Sequence, residues 1–162
     1  MDKLQELYDL EMIKQLKAKY CYYVDEYWAD PSNFDRLMAE VFLDDEKLDF
    51  DFGPFGHFRG RKEVEGFYRA VVLDILSFSQ HLIHSPLIRL ANETEATGRW
   101  HFLVPCTFRN TGEATWLSGT YHEEYEKRGG NWYIRKIRVA WLFSTPHLEG
   151  WVRKNLLAPR PE

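Results

Sequence analysis

From residue 79 onward the chain reads as four long strands joined by very short turns, spanning about 79–91, 94–109, 114–128 and 131–144. The connections Asn92-Glu93, Asn110-Thr111-Gly112 and Gly129-Gly130-Asn131 carry hairpin chemistry, because Gly and Asn tolerate the positive φ that tight turns require. Strands joined this way lie side by side and antiparallel, and their intrinsic twist curls so long a sheet. Alternation is clearest in the second strand. Trp100, Phe102, Val104, Cys106 and Phe108 point one way, and Arg99, His101, Leu103, Pro105 and Thr107 the other. One face is wholly apolar and needs a cover. The other is mixed, as a wet surface or an oligomer contact would be.

The cover is written upstream. Residues 3–28 predict one long helix, with Asp9 marking a candidate break. Its apolar side chains recur at near-helical period, at Leu4, Leu7, Leu10, Ile13, Leu16, Tyr20, Val24 and Tyr27. Gln15, Lys19, Tyr22 and Glu26 mark the wetter side. Asp30-Pro31-Ser32-Asn33 stops this helix and caps a second one through about Glu40. Short strands at 47–52 and 56–60 flank a Gly53-Pro54-Phe55-Gly56 turn, and a third helix follows at 61–77 with Val64, Phe67, Val71 and Ile75 on one side. Three helices followed by a bent sheet make an α+β fold: a cone-shaped, curved antiparallel sheet covered by three helices. One helix cannot fill a bent sheet completely, so a blind cavity is expected. The domain is expected over 1–146. The tail, 147–162, holds Leu148, Trp151, Val152, Leu156 and Leu157 and would pack on the cone as a short helix.

At 162 residues the chain fits one domain. A net charge of −4 and the lack of a basic run argue against binding nucleic acid or an anionic membrane surface electrostatically. No apolar stretch approaches a membrane span, and the start Met1-Asp2-Lys3-Leu4-Gln5-Glu6 is too charged for a signal peptide. Cys21 and Cys106 stand far apart with no metal-ligand spacing around them. A reduced, cytoplasmic setting is the expectation. Six Trp, nine Tyr and eleven Phe would serve either as core packing or as walls for a flat, mostly carbon ligand.

No nucleotide-binding glycine loop, nucleophile elbow or zinc-type histidine pair occurs, and Gly129-Gly130 reads as a turn. His81 and His84 fall on opposite sides of a strand, so they make poor joint ligands; neither a metal nor a cofactor is expected. Asp25 lies beside the apolar stripe of the first helix, where a carboxylate needs a partner; it would otherwise be a solvated acid or a cap. His81 heads a partly apolar strand face and is either a satisfied structural residue or a base. Paired with Asp25, its ring would be fixed in one tautomer, with the other nitrogen free to take a proton. Tyr20 is a core tyrosine or a donor to a carbonyl or leaving hydroxyl.

Over nearly its whole length the chain resembles the SnoaL-like branch of the nuclear-transport-factor-2-like superfamily, a cystatin-like α+β barrel. Tyr20-Cys21-Tyr22-Tyr23-Val24-Asp25, Gln80-His81 and Ala96-Thr97-Gly98-Arg99-Trp100 are similar to segments of bacterial bile-acid dehydratases. Gly119-Thr120-Tyr121, with Glu124-Tyr125-Glu126-Lys127-Arg128-Gly129-Gly130-Asn131-Trp132, is similar to a hairpin of hexachlorocyclohexane dehydrochlorinase. Trp28-Ala29-Asp30, Phe34-Asp35-Arg36-Leu37 and Val104-Pro105-Cys106 resemble scytalone dehydratase. The resemblance implies that Asp25 and His81 match the His–Asp dyad of these lyases and that Tyr20 matches the tyrosine of the bile-acid enzymes. It also shows departures. Val104 replaces a pocket aspartate of the bile-acid enzymes, Cys106 a second histidine of scytalone dehydratase, and Gly119 and Tyr121 that enzyme's serine and asparagine. None of the three substrates is therefore carried over.

The expectation is a cofactor-independent, dehydratase-like lyase acting on a small, cyclic, apolar organic substrate. Its catalytic residues would be His81, Asp25 and Tyr20. Tyr27, Phe50, Trp100, Phe102, Val104, Cys106, Tyr121, Trp141 and Phe143 would line the pocket, the last two sharing one face of the final strand. A ketosteroid-type isomerase and a non-catalytic small-molecule binding protein remain the alternatives. The mixed outer face, with Arg99, His101, Trp116 and Ile134, would suit self-association. The resemblance implies a homo-oligomer, a trimer first and a dimer second.

Overall fold

The computed structural model describes residues 2–27 and 30–148, apart from the side chains at 72 and 73. Helix α1 runs unbroken over Lys3–Asp25. Asp9 does not interrupt it, because its buried carboxylate accepts hydrogen bonds from Lys127 Nζ (2.7 Å) and Trp132 Nε1 (2.9 Å). The helix meets the sheet only from this point on. Ile13, Leu16, Lys17, Tyr20 and Val24 are buried, whereas Leu4 and Leu7 are 74% and 64% exposed, so the stripe is shorter than its periodicity predicts. The Asp30 side chain accepts from the Ser32 N–H (3.0 Å) and hydroxyl (2.7 Å) and starts α2, Ser32–Arg36, which widens into a π turn at Leu37–Val41. Strands β1 (Asp49–Asp51) and β2 (His57–Arg59) form a small hairpin around the 3₁₀ turn Gly53–Phe55. Helix α3, Gly60–Ala70, also ends in a π turn, Val71–Ile75.

Strands β3 (Leu76–Ser79), β4 (Leu82–Leu90), β5 (Glu95–Phe108), β6 (Ala114–Arg128) and β7 (Asn131–Pro146) follow. The sheet order is β2-β1-β7-β6-β5-β3, with β4 also paired to β5. The hairpin-linked strands are antiparallel as expected, but β1 runs parallel to β7, so the sheet is mixed. A long connection separates these two strands, and nothing in it forces the direction a short turn would impose. The sheet is curved and unclosed, and the three helices pack on it. No helix among the described residues is long and apolar enough to cross a membrane.

Strand β7 departs from simple alternation twice. Its register against β6 shifts between Ser118 and Gly119 and again between Glu124 and Tyr125, and each shift leaves one extra residue in β7. The inward parity therefore holds for Ile137, Val139 and Trp141 and flips beyond each bulge. Ile134 turns inward and is fully buried, not on the outer face. Phe143, opposite Ser118, no longer shares the face of Trp141.

The core joins the inner faces of β5, β6 and β7 to α1, α3 and the π turn after α2. Each large apolar side chain buried there contributes about 1.5–3 kcal/mol. One end of the core is polar. Lys17 Nζ lies 2.5 Å from Glu123 Oε1, both side chains nearly inaccessible. Tyr125 donates to the other Glu123 oxygen, and Trp100 Nε1 donates to Tyr125 (2.8 Å). Such a pair is tolerated in a core only when its remaining polar atoms are satisfied.

Candidate functional site

Asp25 is the last residue of α1, at the end of the helix dipole that does not favour an anion. Three donors hold it there: the Ser79 hydroxyl (2.9 Å to Oδ1), the His81 backbone N–H (2.6 Å to Oδ2) and the His81 ring Nδ1 (2.6 Å to Oδ1). The break between β3 and β4 supplies the last two. Both strands pair with the same edge of β5, and Gln80 N–H still bonds Pro105 O (3.1 Å). At His81 the chain turns its N–H out of the ladder and toward α1. The side chains of His81 and Asp25 are 9% and 15% exposed. An ionised carboxylate only accepts hydrogen bonds, so the proton sits on Nδ1 and Nε2 is left as the basic nitrogen.

The ring of His81 borders a cavity of about 140 Å³. Tyr20, Tyr68, Phe102, Val104, Tyr121 and Trp141 form its walls with Val24, Phe52, Phe67 and Leu117. Asp25 lies behind the imidazole, on an outer groove shared with Lys14, Cys21 and Tyr22. Trp141 Nε1 is satisfied by Phe52 O (2.9 Å) and presents an apolar face. The Tyr20 ring stands edge-on to His81, centroids 5.7 Å apart, and its hydroxyl accepts from Tyr68 (3.3 Å). Burial pushes the phenols of Tyr20, Tyr68 and Tyr121 above their ordinary range, which makes them proton donors in hydrogen bonds rather than bases.

Of the residues expected at the site, Tyr20, His81, Phe102, Val104, Tyr121 and Trp141 meet around one cavity, with Asp25 against His81. The described lining does not include Tyr27, Phe50, Trp100, Cys106 or Phe143. Tyr27 packs on Phe34. Phe50 is sealed between Phe42 and Tyr68, and Trp100 faces the Tyr125–Glu123 network. Cys106 is buried opposite Ser79, and Phe143 is displaced by the bulge at Leu142. Sequence reasoning missed Ser79, Phe52 and Tyr68. Tyr68 stands four residues after Val64 on the same face of α3, a spacing visible in the sequence. Ser79 gave no local signal.

A family profile described as SnoaL-like domain matches residues 5–138. The chain belongs to this SnoaL-like family. Solved structures share the fold of this SnoaL-like chain at low identity. A scytalone dehydratase-like protein from Novosphingobium aromaticivorans superposes with a TM-score of 0.79 at 19% identity, covering 99% of this chain and 100% of the other. The hexachlorocyclohexane dehydrochlorinase LinA-type3 from Novosphingobium barchaimii gives 0.76 at 18%, covering 98% and 100%. A nuclear transport factor 2-like superfamily protein from Salmonella enterica gives 0.71 at 20%, covering 87% and 96%. The neighbours of this SnoaL-like chain thus include proteins named for dehydration and dehydrochlorination.

Proposed function

We propose that this SnoaL-like protein is a cofactor-independent lyase acting on a small cyclic substrate. The observation that supports it is His81, held by Asp25 through its ring Nδ1 and through its backbone N–H, with its side chain in the wall of an apolar cavity. His81 Nε2 takes a proton from carbon. The C–H electron pair becomes the new double bond, and the leaving group departs with its own bonding pair. Asp25 orients the ring and stabilises the imidazolium, and Tyr20 donates to a substrate carbonyl or to the departing hydroxide. General-base assistance of this kind contributes about 10²–10⁴-fold.

The cavity volume bears on the substrate. A space of about 140 Å³ resembles the apolar cavity of about 150 Å³ that accommodates benzene in an engineered protein, which favours one ring and disfavours a ketosteroid-sized ligand. The isomerase reading is correspondingly weaker. The domain of residues 1–146, a cytoplasmic location and assembly as a homo-oligomer belong to the same proposal.

The test is a panel of single-ring β-hydroxy and β-halo ketones followed by mass spectrometry. Loss of water or hydrogen halide with the native protein, abolished in His81→Ala, is the expected result. A product of unchanged mass favours the isomerase, and binding without turnover favours the binding protein.

A further inference from the structure

We propose that Ser79 is a positioning residue that sets the base strength of His81. Its hydroxyl, bound to the Asp25 oxygen that also receives the His81 ring proton, weakens the pull of the carboxylate on the imidazole. The ring then holds a second proton less tightly than it would beside an Asp without that bond. This deepens the reading above and rests on it for the role of His81 as the base.

Ser79 is the last residue of β3 and its one buried position, after a Phe78 that is 43% exposed. Its partner across the ladder is Cys106, on the apolar face of β5. A hydroxyl in such a place costs free energy unless it is bonded. The bond it makes is to Asp25, 2.9 Å to Oδ1. Residues two apart on an extended chain face the same side, so Ser79 and His81 both reach the end of α1. They load the carboxylate unequally. Oδ1 takes the Ser79 hydroxyl and the His81 ring Nδ1 (2.6 Å), whereas Oδ2 takes the His81 backbone N–H (2.6 Å).

The charges around the pair give that bond its role. Asp25 stands at the negative end of the α1 dipole, and no basic residue occupies the last turn. Helix end and carboxylate both favour the positive imidazolium, and a base that holds its proton too tightly is occupied before substrate arrives. Two neutral donors oppose them, the Ser79 hydroxyl and the His81 N–H. A hydrogen bond donated to a carboxylate stabilises its charge and leaves less of it for the ring. Every residue but proline brings a backbone N–H, so the hydroxyl is the donor that the side chain at 79 supplies or withholds.

The other ionisable groups near the pair stay constant when Ser79 is changed. Tyr20, Tyr68 and Tyr121 border the cavity from α1, α3 and β6, and burial pushes their phenols up. Cys21 on α1 and Cys106 on β5 have thiols pushed up to about 12. None of these five exchanges a proton where an imidazole titrates. On the groove side α1 presents Lys14, Tyr22, Glu26 and Lys17, the last paired with Glu123 of β6. His84 of β4 lies on the outer face against His101.

The experiment is an NMR titration of the His81 ring in the full-length native protein, Ser79→Ala and Ser79→Thr. In Ser79→Ala the midpoint is expected to move to higher pH by about half a pH unit or more. The neutral ring should keep its proton on Nδ1, because Asp25 still accepts it. Ser79→Thr retains the hydroxyl on a side chain suited to a strand and should return the midpoint to its native position. The acid limb of kcat/KM should follow the same order. A midpoint in Ser79→Ala that is unmoved or lower, or one displaced equally in both variants, overturns the proposal. A serine with only a packing role would alter unfolding without moving the ring titration. The titration needs no turnover, so the role of Ser79 and the lyase reading can fail separately: an inactive protein leaves the midpoints readable, and an active one with unmoved midpoints removes Ser79 alone.

Discussion

Asp25 grips His81 at two points, 2.6 Å from the ring Nδ1 and 2.6 Å from the backbone N–H. A single contact would allow the ring to rotate. Two contacts, with Ser79 steadying the acid, fix the imidazole relative to both strand and helix.

Nitrogen-15 NMR of the neutral protein should show the His81 proton on Nδ1. In Asp25→Asn the amide can donate to that nitrogen and reverse the tautomer. Turnover should then fall about 10²-fold or more, in keeping with the effect of a reversed tautomer in the serine-protease triad. A proton on Nε2 in the native protein would remove His81 as the base.

Turnover should also decline on the acid side, because protonation removes the Nε2 lone pair. The pH–rate profile of kcat/KM checks this. A rate independent of pH across the range where the fold persists counts against the assignment.

Gly119→Ala should destabilise the fold by about 1–3 kcal/mol, measured by denaturant unfolding. A Cβ there would come within 2.5 Å of Ala140 O and 2.7 Å of Phe102 Cζ. Phe102 is a cavity wall, so the same change should weaken ligand binding. Unchanged stability would mean the sheet has more room at this point than its geometry implies.

Burial opposes the charge on Asp9, yet hydrogen bonds from Lys127 and Trp132 outweigh it and hold the carboxyl below its usual range. A folded-state value lower than the unfolded one contributes stability that is present above the unfolded value, about 3.9, and is lost as pH falls through the folded value. Asp9→Asn should therefore flatten the acid limb of a stability–pH curve below about pH 4. An unaltered limb would show that the pairing contributes nothing to pH-dependent stability.

Burial pushes the thiols of Cys21 and Cys106 up to about 12. Both remain protonated at pH 8, and a protonated thiol is a poor nucleophile. Iodoacetamide should leave them unmodified in the folded protein and alkylate both after denaturation, as counted by mass spectrometry.

Most of the architecture was legible because it is local. The turns at 92–93, 110–112 and 129–131 predict the hairpins that form, and the alternation of Trp100, Phe102, Val104 and Cys106 predicts the buried face of β5. The period of α1 placed Tyr20 and Val24 on its inner side. Asp25 and His81 were legible as candidates because a carboxylate and an imidazole beside apolar residues each call for a partner. Their contact was an inference from pairing chemistry and resemblance.

The tertiary structure decided what depends on register and on meetings between distant segments. The two bulges of β7 reverse the parity of Ile134 and Phe143, and a bulge changes neither composition nor period, so alternation counted along the strand misplaces both. Lys17, a charge within an apolar stripe, finds Glu123 across 106 residues of chain, and Tyr68 reaches Tyr20 across 48. Sequence determines which face of each element is apolar, because that follows from spacing along one backbone. Which residues share a cavity depends on how separate backbones are offset against one another, and that is set only when the elements pack.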